Sequence, residues 1–511
     1  MIKRVLSRSK HTVKKVPHWL ARWVPAFVIL YTILGLLSYL TNPFTKYTLV
    51  HVPYQTSVNE DGQLTILREG SLRLRTSQFY GIFAQLKSGY HILSNVYGGN
   101  KQAKADTLNE IILDIHKLRF DPNEPYLISG DHFSMLYIRS LGIFYHTLLD
   151  PRTPLSDEDW LNRQKIYLQT TAYALEVFKD APALSTTIVP VGENSVAQMN
   201  IYSPPSDTLY SLLYALDVMQ SSTALENTYP FIASHKYSLQ TQEAAQQLLM
   251  DYRPSLQYHY LHFIRSVVDE KTGLVKKDIL LSGTKDISKR QSAFYDNVMV
   301  WKTTQLAQKL QIIPQDQAVL DQLKQRILDT YWKPEIGCFI EDQSTAALAN
   351  NYYSSDWLIV LKTGFLDPFD PTERQLYQEC VKYIQAQGID SPFGLKYQQE
   401  MRGERLHPIV RIGAPEYGST AIWSNWGMEY IKLLTFLYRT TGDTSYYQRA
   451  QQQLDAYTDN IIRYSCYPEV YNDQGQMFQN LFYKSVCQTG WVVTYEQAKA
   501  LLESIPKPQT L

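Results

Sequence analysis

The sequence predicts an all-α fold: a toroid of helical hairpins with small β-hairpin inserts, preceded by one N-terminal transmembrane helix. Apolar residues recur at helical spacing through residues 73–503. No linker rich in Gly, Ser or Pro divides this range, so we expect one domain. The pattern gives about thirteen helices joined by alternating short and long connections. A closed ring fits that number better than a small bundle, and the loops at one end of the ring are expected to carry function.

The composition excludes several classes of protein. Lys plus Arg and Asp plus Glu both number 49, whereas a nucleic-acid-binding domain usually has a basic excess. The 38 tyrosines can fill helix interfaces or line a carbohydrate groove. Four cysteines are too few for a disulfide scaffold. Because the sequence lacks nucleotide-binding, serine-hydrolase and zinc motifs, we expect no metal and no cofactor.

The N-terminus predicts a membrane anchor. Residues 1–19 form a basic tail, and residues 20–41 contain a stretch from Trp23 to Leu40 without charge, just long enough to span a bilayer. The basic side is expected in the cytoplasm, which makes the chain a single-pass cell-membrane protein with its catalytic domain outside. A cleaved signal peptide is the alternative. The sequence after Leu40 has no small-x-small cleavage site, which favours an uncleaved signal-anchor.

Residues 42–72 are expected to form a stalk with short strands, and residues 73–511 the catalytic domain. Two inserts interrupt the helices as predicted hairpins, one over 186–202 and one over 269–281. The predicted helices are 73–95, 105–118, 133–149, 159–179, 207–220, 239–267, 292–311, 316–331, 353–363, 371–387, 420–441, 444–462 and 490–503.

Several loops place an acid among aromatic residues directly before a helix. An acid there can simply cap the helix, and capping is the favoured role of Asp207. The recurrence of such loops favours a shared function, since aromatic rings stack on sugar faces and carboxylates transfer protons. The acids in these loops are Asp131 (next to His132), Asp207, Asp296, Asp356, Glu416 and Glu469.

The loop around Glu469 is flanked by two cysteines. Tyr467 and Tyr471 lie on either side of the acid, and Cys466 and Cys487 lie outside them. A location outside the cytoplasm permits a disulfide, which would close the loop. Two free buried thiols are the alternative.

These motifs resemble the six-hairpin (α/α)6-toroid glycosidases, which include trehalases, processing α-glucosidases and the glucosidase domain of glycogen-debranching enzymes. Asp131 resembles the early Asp that binds the terminal sugar, although Arg139-Ser140 departs from the Arg-Asp of some relatives. Phe294-Tyr-Asp-Asn297 resembles the loop that supplies the general acid. Tyr417 to Asn425 resembles a segment that lines the subsite. Glu469, with Gln488-Thr-Gly-Trp491, resembles the late Glu and Gly-Trp segment of the general base.

The resemblance implies inverting hydrolysis of α-linked glucosides or oligosaccharides. Asp296 is the expected general acid, Glu469 the general base and Glu416 the reserve base. The acid and base of an inverting enzyme lie roughly 6.5–9.5 Å apart, which leaves room for a water. The expected partners are an oligosaccharide or polysaccharide substrate and the membrane. The expected substrate-binding residues are Asp131, His132, Tyr295, Asn297, Asp356, Trp357, Arg411, Tyr417, Trp423, Asn425, Trp426 and Trp491.

Two alternatives remain from the sequence. The same toroid serves polysaccharide lyases and unsaturated uronyl hydrolases, whose acidic substrates require several basic residues in the groove. The candidate loops contain Arg139, Arg290 and Arg411 but more acids than bases, which argues against that class. The chain could also be a non-catalytic carbohydrate-binding protein of the envelope.

Overall fold

The computed structural model describes residues 29, 32–33, 48–51, 54–58, 64–68, 73–75, 89–99, 102–120, 126–130, 133, 135–144, 157–192, 195–220, 237–285 and 287–508. Phe44–Leu511 form one compact unit. No helix in these ranges is long and apolar enough to cross a membrane. The predicted anchor lies outside the described residues, apart from positions 29, 32 and 33.

Helices dominate the domain, as the periodicity predicted. Residues 89–98 are helical. The longer helices that follow are α1 (Leu108–Arg119), α2 (Asp157–Phe178), α3 (Thr208–Gln220), α4 (Leu239–Val267), α5 (Phe294–Lys309), α6 (Gln317–Tyr331), α9 (Pro371–Ala386), α11 (Ser424–Thr441), α12 (Thr444–Tyr464) and α13 (Val492–Glu503). The short helices are α7 (Thr345–Asn350), α8 (Ile359–Thr363) and α10 (Pro408–Gly413), with a π-helix at Ser140–Phe144 and 3-10 helices at Ser355–Leu358 and Gly403–Arg405.

The helices form a closed double ring. The inner ring runs from the π-helix to α3, α5, α8, α11 and α13, and each of these elements packs on the next. The outer ring contains α1, α2, α4, α6, α9 and α12. The ring closes where α12 packs on α1. There the carbonyl of Ser129 accepts hydrogen bonds from the Thr489 hydroxyl at 2.9 Å and the Gly490 N–H at 3.1 Å. The predicted toroid is therefore the observed architecture of the described chain.

The two rings begin their helices differently. Outer helices have side-chain caps, such as the capping box of Thr107 and Glu110 at α1 and the Asp370 cap at α9. The inner helices α5 and α11 follow Ala293 and Trp423, neither of which makes a side-chain cap hydrogen bond. An acid near the start of an inner helix is thus available for another role.

The main sheet joins segments distant in sequence. Its order is β4-β1-β7-β6-β5, with β1 (Thr48–His51), β4 (Arg73–Arg75), β5 (Leu136–Tyr137), β6 (Thr187–Gly192) and β7 (Ser195–Met199). The β6–β7 pair confirms the first predicted hairpin. Strand β1, within the predicted stalk, pairs antiparallel with β7 of the domain. Strands β2 (Tyr54–Val58) and β3 (Leu64–Arg68) form a separate hairpin.

Smaller strand pairs lie between the helices. They are β8 (Trp332–Lys333) with β9 (Cys338–Phe339) and β10 (Ile422–Trp423) with β11 (Val470–Tyr471). The second predicted hairpin, over 269–281, forms only as a short antiparallel bridge between Val268 and Val275. The Asp269 N–H donates to the Leu274 carbonyl and the Lys276 N–H to the Val267 carbonyl, both at 2.8 Å, and no longer strands follow.

Candidate active site

The candidate residues lie where the inner segments begin. Arg139 precedes the π-helix, Asp207 precedes α3, Asp296 is in the first turn of α5, and Asp356 is in the 3-10 helix before α8. Direct contacts show that these starts meet. The Tyr295 hydroxyl donates to Oδ2 of Asp207 at 3.1 Å, and Arg139 Nε lies 3.8 Å from the same oxygen. Segments far apart in sequence therefore form one polar site.

Asp296 is a buried carboxyl with an unbonded oxygen. Its side chain is 3% exposed, and Oδ1 has no hydrogen-bond partner of acceptable geometry in the described chain. The neighbouring Ser206 hydroxyl donates to the Ser282 carbonyl at 3.2 Å. A Cβ at Gly283 would lie 3.3 Å from Oδ1 and 2.8 Å from the Ser206 oxygen, so only glycine leaves this space open.

Burial raises the pKa of Asp296 to about 6. Arg290 and the Ser206 hydroxyl oppose the rise, whereas the carboxylates of Asp356 and Asp207 add to it. Asp296 is therefore a carboxyl that can hold a proton at weakly acidic pH, which a general acid requires.

Arg290 connects Asp296 to Asp356. Its Nη1 donates to Oδ2 of Asp356 at 2.5 Å, and both side chains are buried. The guanidinium carbon lies 5.8 Å from the centre of the Tyr295 ring. Although burial opposes it, the pKa of Arg290 is raised by the carboxylates of Asp356 and Asp296, so the residue stays cationic.

Glu469 is fixed at the start of α11. Its backbone carbonyl accepts from the Ser424 N–H at 3.0 Å and from the Ser424 hydroxyl at 2.9 Å. Its Oε2 accepts a hydrogen bond from the Tyr483 hydroxyl at 2.6 Å. Burial and the adjacent carboxylate raise the pKa of Tyr483 well above its usual value, so the phenol remains a donor. The carboxylate is thus oriented from both its main chain and its side chain.

A wall of aromatic rings leads from the neighbourhood of Asp356 to the hydrogen-bond partner of Glu469. The Tyr397 carbonyl accepts from the N–H of Ser355, next to Asp356, and the Tyr397 ring lies 5.5 Å from that of Trp423. The Trp423 ring lies 4.7 Å from Tyr417, and Tyr417 lies 4.6 Å from Tyr483. The wall therefore runs from Asp356, the partner of Arg290, to the Tyr483 that holds Glu469.

Trp491 extends this wall at the start of α13. Its ring stacks on Trp423 with centroids 6.1 Å apart. Asn425, in the first turn of α11, is buried, and its Oδ1 has no hydrogen-bond partner among the described residues. Such stacked rings beside an unsatisfied amide are suited to an uncharged polyhydroxylated ligand.

Other predicted site residues hold the scaffold together. Asn297 donates from Nδ2 to the Ala293 carbonyl and the Tyr331 hydroxyl, both at 2.8 Å. Trp357 is buried, and its indole N–H donates to the Tyr353 hydroxyl at 3.3 Å. Trp426 is also buried in the core. These side chains support the site from behind.

Two predicted residues lie on the surface. Glu416 and Arg411 are both exposed, and the backbone carbonyl of Glu416 accepts from the N–H groups of Ser419 and Ala421. The exposure of Glu416 contrasts with the burial of Glu469, which separates the two candidates for the base.

Asp131 and His132 lie outside the described residues. The preceding residue, Gly130, is described, and a Cβ there would lie 2.2 Å from a methyl carbon of Val486. The Val486 carbonyl in turn accepts from the Glu469 N–H at 2.9 Å. The loop that leads to Asp131 therefore contacts the loop of Glu469.

A disulfide joins Cys466 to Cys487, with Cα atoms 5.3 Å apart. It closes the segment that carries both Glu469 and Tyr483. Cys338 and Cys380 are free and buried.

A buried ionic cluster lies behind Tyr397. Lys285 Nζ is 2.6 Å from Glu341 and 4.5 Å from the Tyr397 ring centre. Arg405 lies 2.8 Å from Glu341 and also pairs with Asp342. These paired charges fix the loops on which Tyr397 and Arg290 lie. No group of three or more metal-ligating side chains occurs among the residues that the structure describes.

Sequence reasoning missed the partners of the carboxylates. Arg290 was noted only as a basic residue, and Tyr397 and Tyr483 were not singled out. Asp207 was interpreted mainly as a helix cap. Arg290 immediately precedes the Gln-Ser-Ala-Phe-Tyr-Asp run, and this proximity to Asp296 was the available signal. Tyr397 is remote in sequence from both Asp296 and Glu469, so no local pattern marks it.

Comparison with known proteins finds similarity only to solved structures. No protein-family model matches the sequence, and no curated protein matches it. It is similar to a rhamnosidase from Klebsiella oxytoca with rhamnose bound (13% identity, TM-score 0.45, 90% of this chain and 83% of that one). It is also similar to a mannosylglycerate hydrolase from Thermus thermophilus (11% identity, TM-score 0.45, 78% of this chain and 100% of that one). A third similar structure is a cellobiose 2-epimerase from Spirochaeta thermophila (11% identity, TM-score 0.44, 82% of this chain and 98% of that one). These structures are of the (α/α)6-toroid group that the sequence motifs resemble.

Proposed function

We propose that this chain is a carbohydrate-active enzyme, a glycoside hydrolase with Asp296 as general acid and Glu469 as general base. The observation that carries the proposal is the pair of contrasting carboxylates at the starts of the inner helices. Asp296 is buried with Oδ1 unbonded and a pKa raised to about 6, and Glu469 is oriented by Tyr483 at 2.6 Å. Aromatic rings in tilted and edge-to-face contact lead from Tyr397, whose carbonyl binds the residue before Asp356, to Tyr483, the hydrogen-bond partner of Glu469.

The proposed reaction uses each carboxylate once. Protonated Asp296 donates its proton to the glycosidic oxygen as the bond from that oxygen to the anomeric carbon breaks. Glu469 takes a proton from a water that attacks the anomeric carbon from the opposite face. The products are a sugar of inverted anomeric configuration and the released alcohol, and solvent restores the two protonation states.

The charges at the site favour a neutral substrate. Arg290 is paired with Asp356, Arg139 lies beside Asp207, and Arg411 is exposed. An acidic sugar would meet guanidinium groups whose charge is already balanced by carboxylates. The lyase and uronyl hydrolase alternatives are thus less favoured than hydrolysis of neutral, α-linked glucosides or oligosaccharides.

The test is a screen of the full-length chain against α-linked disaccharides and aryl glycosides, with the anomer of the first product followed by NMR. We expect hydrolysis with inversion. Hydrolysis with retention would disprove the role of Glu469 as a base acting on water. If no member of the panel is hydrolysed and the same sugars still bind, the non-catalytic alternative is favoured.

We also propose that residues 20–41 anchor the domain outside the cell, as the charge asymmetry of the N-terminus suggests. Protease added to intact cells should then remove the domain. Protection of the domain until the cells are lysed would disprove this orientation.

A further inference from the structure

Arg290 and Asp296 interact electrostatically, but the described chain contains no ion pair between them. Nη2 of Arg290 and Oδ1 of Asp296 are both buried, and neither has a hydrogen-bond partner in the described chain. A guanidinium usually pairs with a nearby carboxylate through two parallel hydrogen bonds. Here the only ion pair of Arg290 among the described residues is with Asp356, at 2.5 Å.

The main chain restrains Arg290 in this position. On one side the Lys289 N–H donates to the Arg405 carbonyl at 2.7 Å. On the other side the Gln291 N–H donates to Oδ2 of Asp342 at 2.9 Å. With its backbone fixed and Nη1 bound to Asp356, the guanidinium cannot turn fully towards Asp296 without breaking a buried ion pair.

We propose that the Arg290–Asp356 ion pair is a positioning device that holds a cation near Asp296 but keeps that cation from capturing the Asp296 carboxylate. Asp356 acts through Arg290, and Arg290 acts through Asp296. The proposal rests on the proposed function, since it assigns these two residues a task in the reaction of Asp296.

The task follows from the reaction cycle. After Asp296 gives its proton to the leaving oxygen, the resulting anion is attracted by Arg290. A full ion pair would favour the ionised form strongly and prevent the acid from being restored at neutral pH. With no cation at all, two buried carboxylates would repel each other and Asp296 would hold its proton too tightly. A restrained cation gives an intermediate proton affinity.

Other titratable groups surround Arg290 and Asp296 on the neighbouring segments. Asp207, before α3, and Tyr331, on α6, interact with Asp296. Tyr295 lies on α5, five residues after Arg290, and the guanidinium carbon lies 5.8 Å from the centre of its ring. On the far side of Arg290 lie Tyr397, Glu341 and Lys285. All of these remain unchanged in the variants below, so a change in Asp296 reports on the ion pair.

Two single substitutions should shift Asp296 in opposite directions. In Asp356→Asn, the released guanidinium turns to Asp296 and favours its ionised form. In Arg290→Gln, the cation is lost and the protonated form is favoured. We expect the basic limb of kcat/KM to move down by at least about one pH unit in the first variant and up by a similar amount in the second.

Matched variants exclude a purely structural effect. Arg290→Lys keeps the positive charge. The basic limb of its kcat/KM profile should stay within about half a pH unit of the parent's, well below the shift that loss of the charge causes. Arg449→Gln removes a different ion pair, with Asp390 at 2.7 Å, and should leave the limb in place. The double variant Arg290→Gln/Asp356→Asn removes both partners of the ion pair, so neither is left buried without the other. It can therefore be tested if a single variant fails to fold.

The protonation of Asp296 can also be followed without activity. The infrared carbonyl band of its protonated form is assigned by its loss in Asp296→Asn, and its titration gives the midpoint for each variant. Opposite shifts in Asp356→Asn and Arg290→Gln, with a parent-like midpoint in the double variant, support the proposal. Equal shifts, no shift, or a double variant displaced as far as either single variant overturns it. If the infrared shifts are opposite but no glycoside is hydrolysed, the proposed function fails and the positioning of Asp296 stands.

Discussion

Asp296 and Glu469 are both buried acids near helix starts, but their surroundings assign them different tasks. One oxygen of Asp296 has no hydrogen-bond donor of good geometry in the described chain, and burial favours its protonated form. Glu469 receives a hydrogen bond from a phenol that burial keeps protonated. Two carboxylates whose environments differ in this way can serve as an acid and a base at one pH.

For Asp296→Asn we expect hydrolysis of substrates with poor leaving groups to fall by about 10²–10⁴, because the proton donor is lost. Substrates with activated leaving groups need less protonation, so their hydrolysis should fall less.

In the parent, kcat/KM should fall as pH rises through about 6, since the raised pKa of Asp296 marks where the acid loses its proton. The variant should lack this limb. Asp443→Asn, at the exposed cap of α12, is the matched control and should behave as the parent.

For Glu469→Gln we expect both classes of substrate to lose activity by about 10²–10⁴, because the attacking water is not activated in either case. Steady-state rates with a disaccharide and an aryl glycoside measure this. Glu335→Gln, at an exposed glutamate, should change neither rate. If Glu469→Gln retains activity and Glu416→Gln abolishes it, the base is Glu416 and the loop that carries it must close over the substrate.

The sequence predicted the acids of the site but not their partners. Asp296, Asp356 and Glu469 stand out locally, because each is an acid among aromatic residues before a helix. The pairing of Arg290 with Asp356 joins residues 66 positions apart. Such a contact depends on how neighbouring inner helices are aligned, and periodicity does not determine that alignment. Trp357 and Asn297 looked like ligand residues because burial and ligand binding both select aromatic and amide side chains.

At the scale of elements, most predicted helices agree with the observed ones because amphipathic and apolar periodicity persists over many residues. Two predicted helices are wrong in part: 133–149 contains strand β5 and the π-helix, and 73–95 begins with strand β4, because both segments pair with strands that are distant in sequence. Predicted 239–267 matches α4 at both ends. The β inserts were harder to predict. Strand β1 pairs with β7, which is more than a hundred residues away, and the 269–281 segment pairs only through the short bridge between Val268 and Val275.

The Glu469 loop is an element whose form depends on its covalent closure. The Cys466–Cys487 disulfide spans 21 residues. Loss of a loop constraint of that length costs about 3 kcal/mol. We expect Cys466→Ser/Cys487→Ser to lower the free energy of unfolding by about this amount and to reduce kcat, because Glu469 and Tyr483 lie within the loop.

Denaturant unfolding and thiol titration check this prediction. Denatured, unreduced parent should expose two thiols, those of Cys338 and Cys380. Four reactive thiols would show that the bridge does not form in the isolated protein. An unchanged kcat in the double variant would show that the loop is held by its hydrogen bonds alone.

At the scale of the whole molecule, a second ionic cluster connects three inner elements. Lys362 of α8 lies 3.1 Å from Glu429 of α11, and Lys432 of α11 lies 2.6 Å from the same oxygen. Lys432 also donates to Gln497 of α13 at 3.3 Å. All four side chains are buried. One carboxylate therefore balances two cations inside the ring, and its removal should affect the packing of the entire inner layer.

We expect Glu429→Gln to lower the free energy of unfolding by about 3–5 kcal/mol, because the change removes a carboxylate that pairs with two buried lysines. Burial already lowers the pKa of Lys362 to about 8, and loss of Glu429 lowers it further. A lysine whose folded pKa lies below its unfolded value destabilises the protein at low pH, and this effect disappears as the lysine loses its proton. The loss in the free energy of unfolding should therefore be smaller at pH 9 than at pH 7, and Glu429→Gln/Lys362→Met should recover part of it.

Removal of the exposed Lys499–Glu503 pair is the control and should change the free energy of unfolding by less than about 1 kcal/mol. Denaturant unfolding at both pH values measures these differences, and a deficit that is equal at pH 7 and pH 9 would contradict the charge-based explanation.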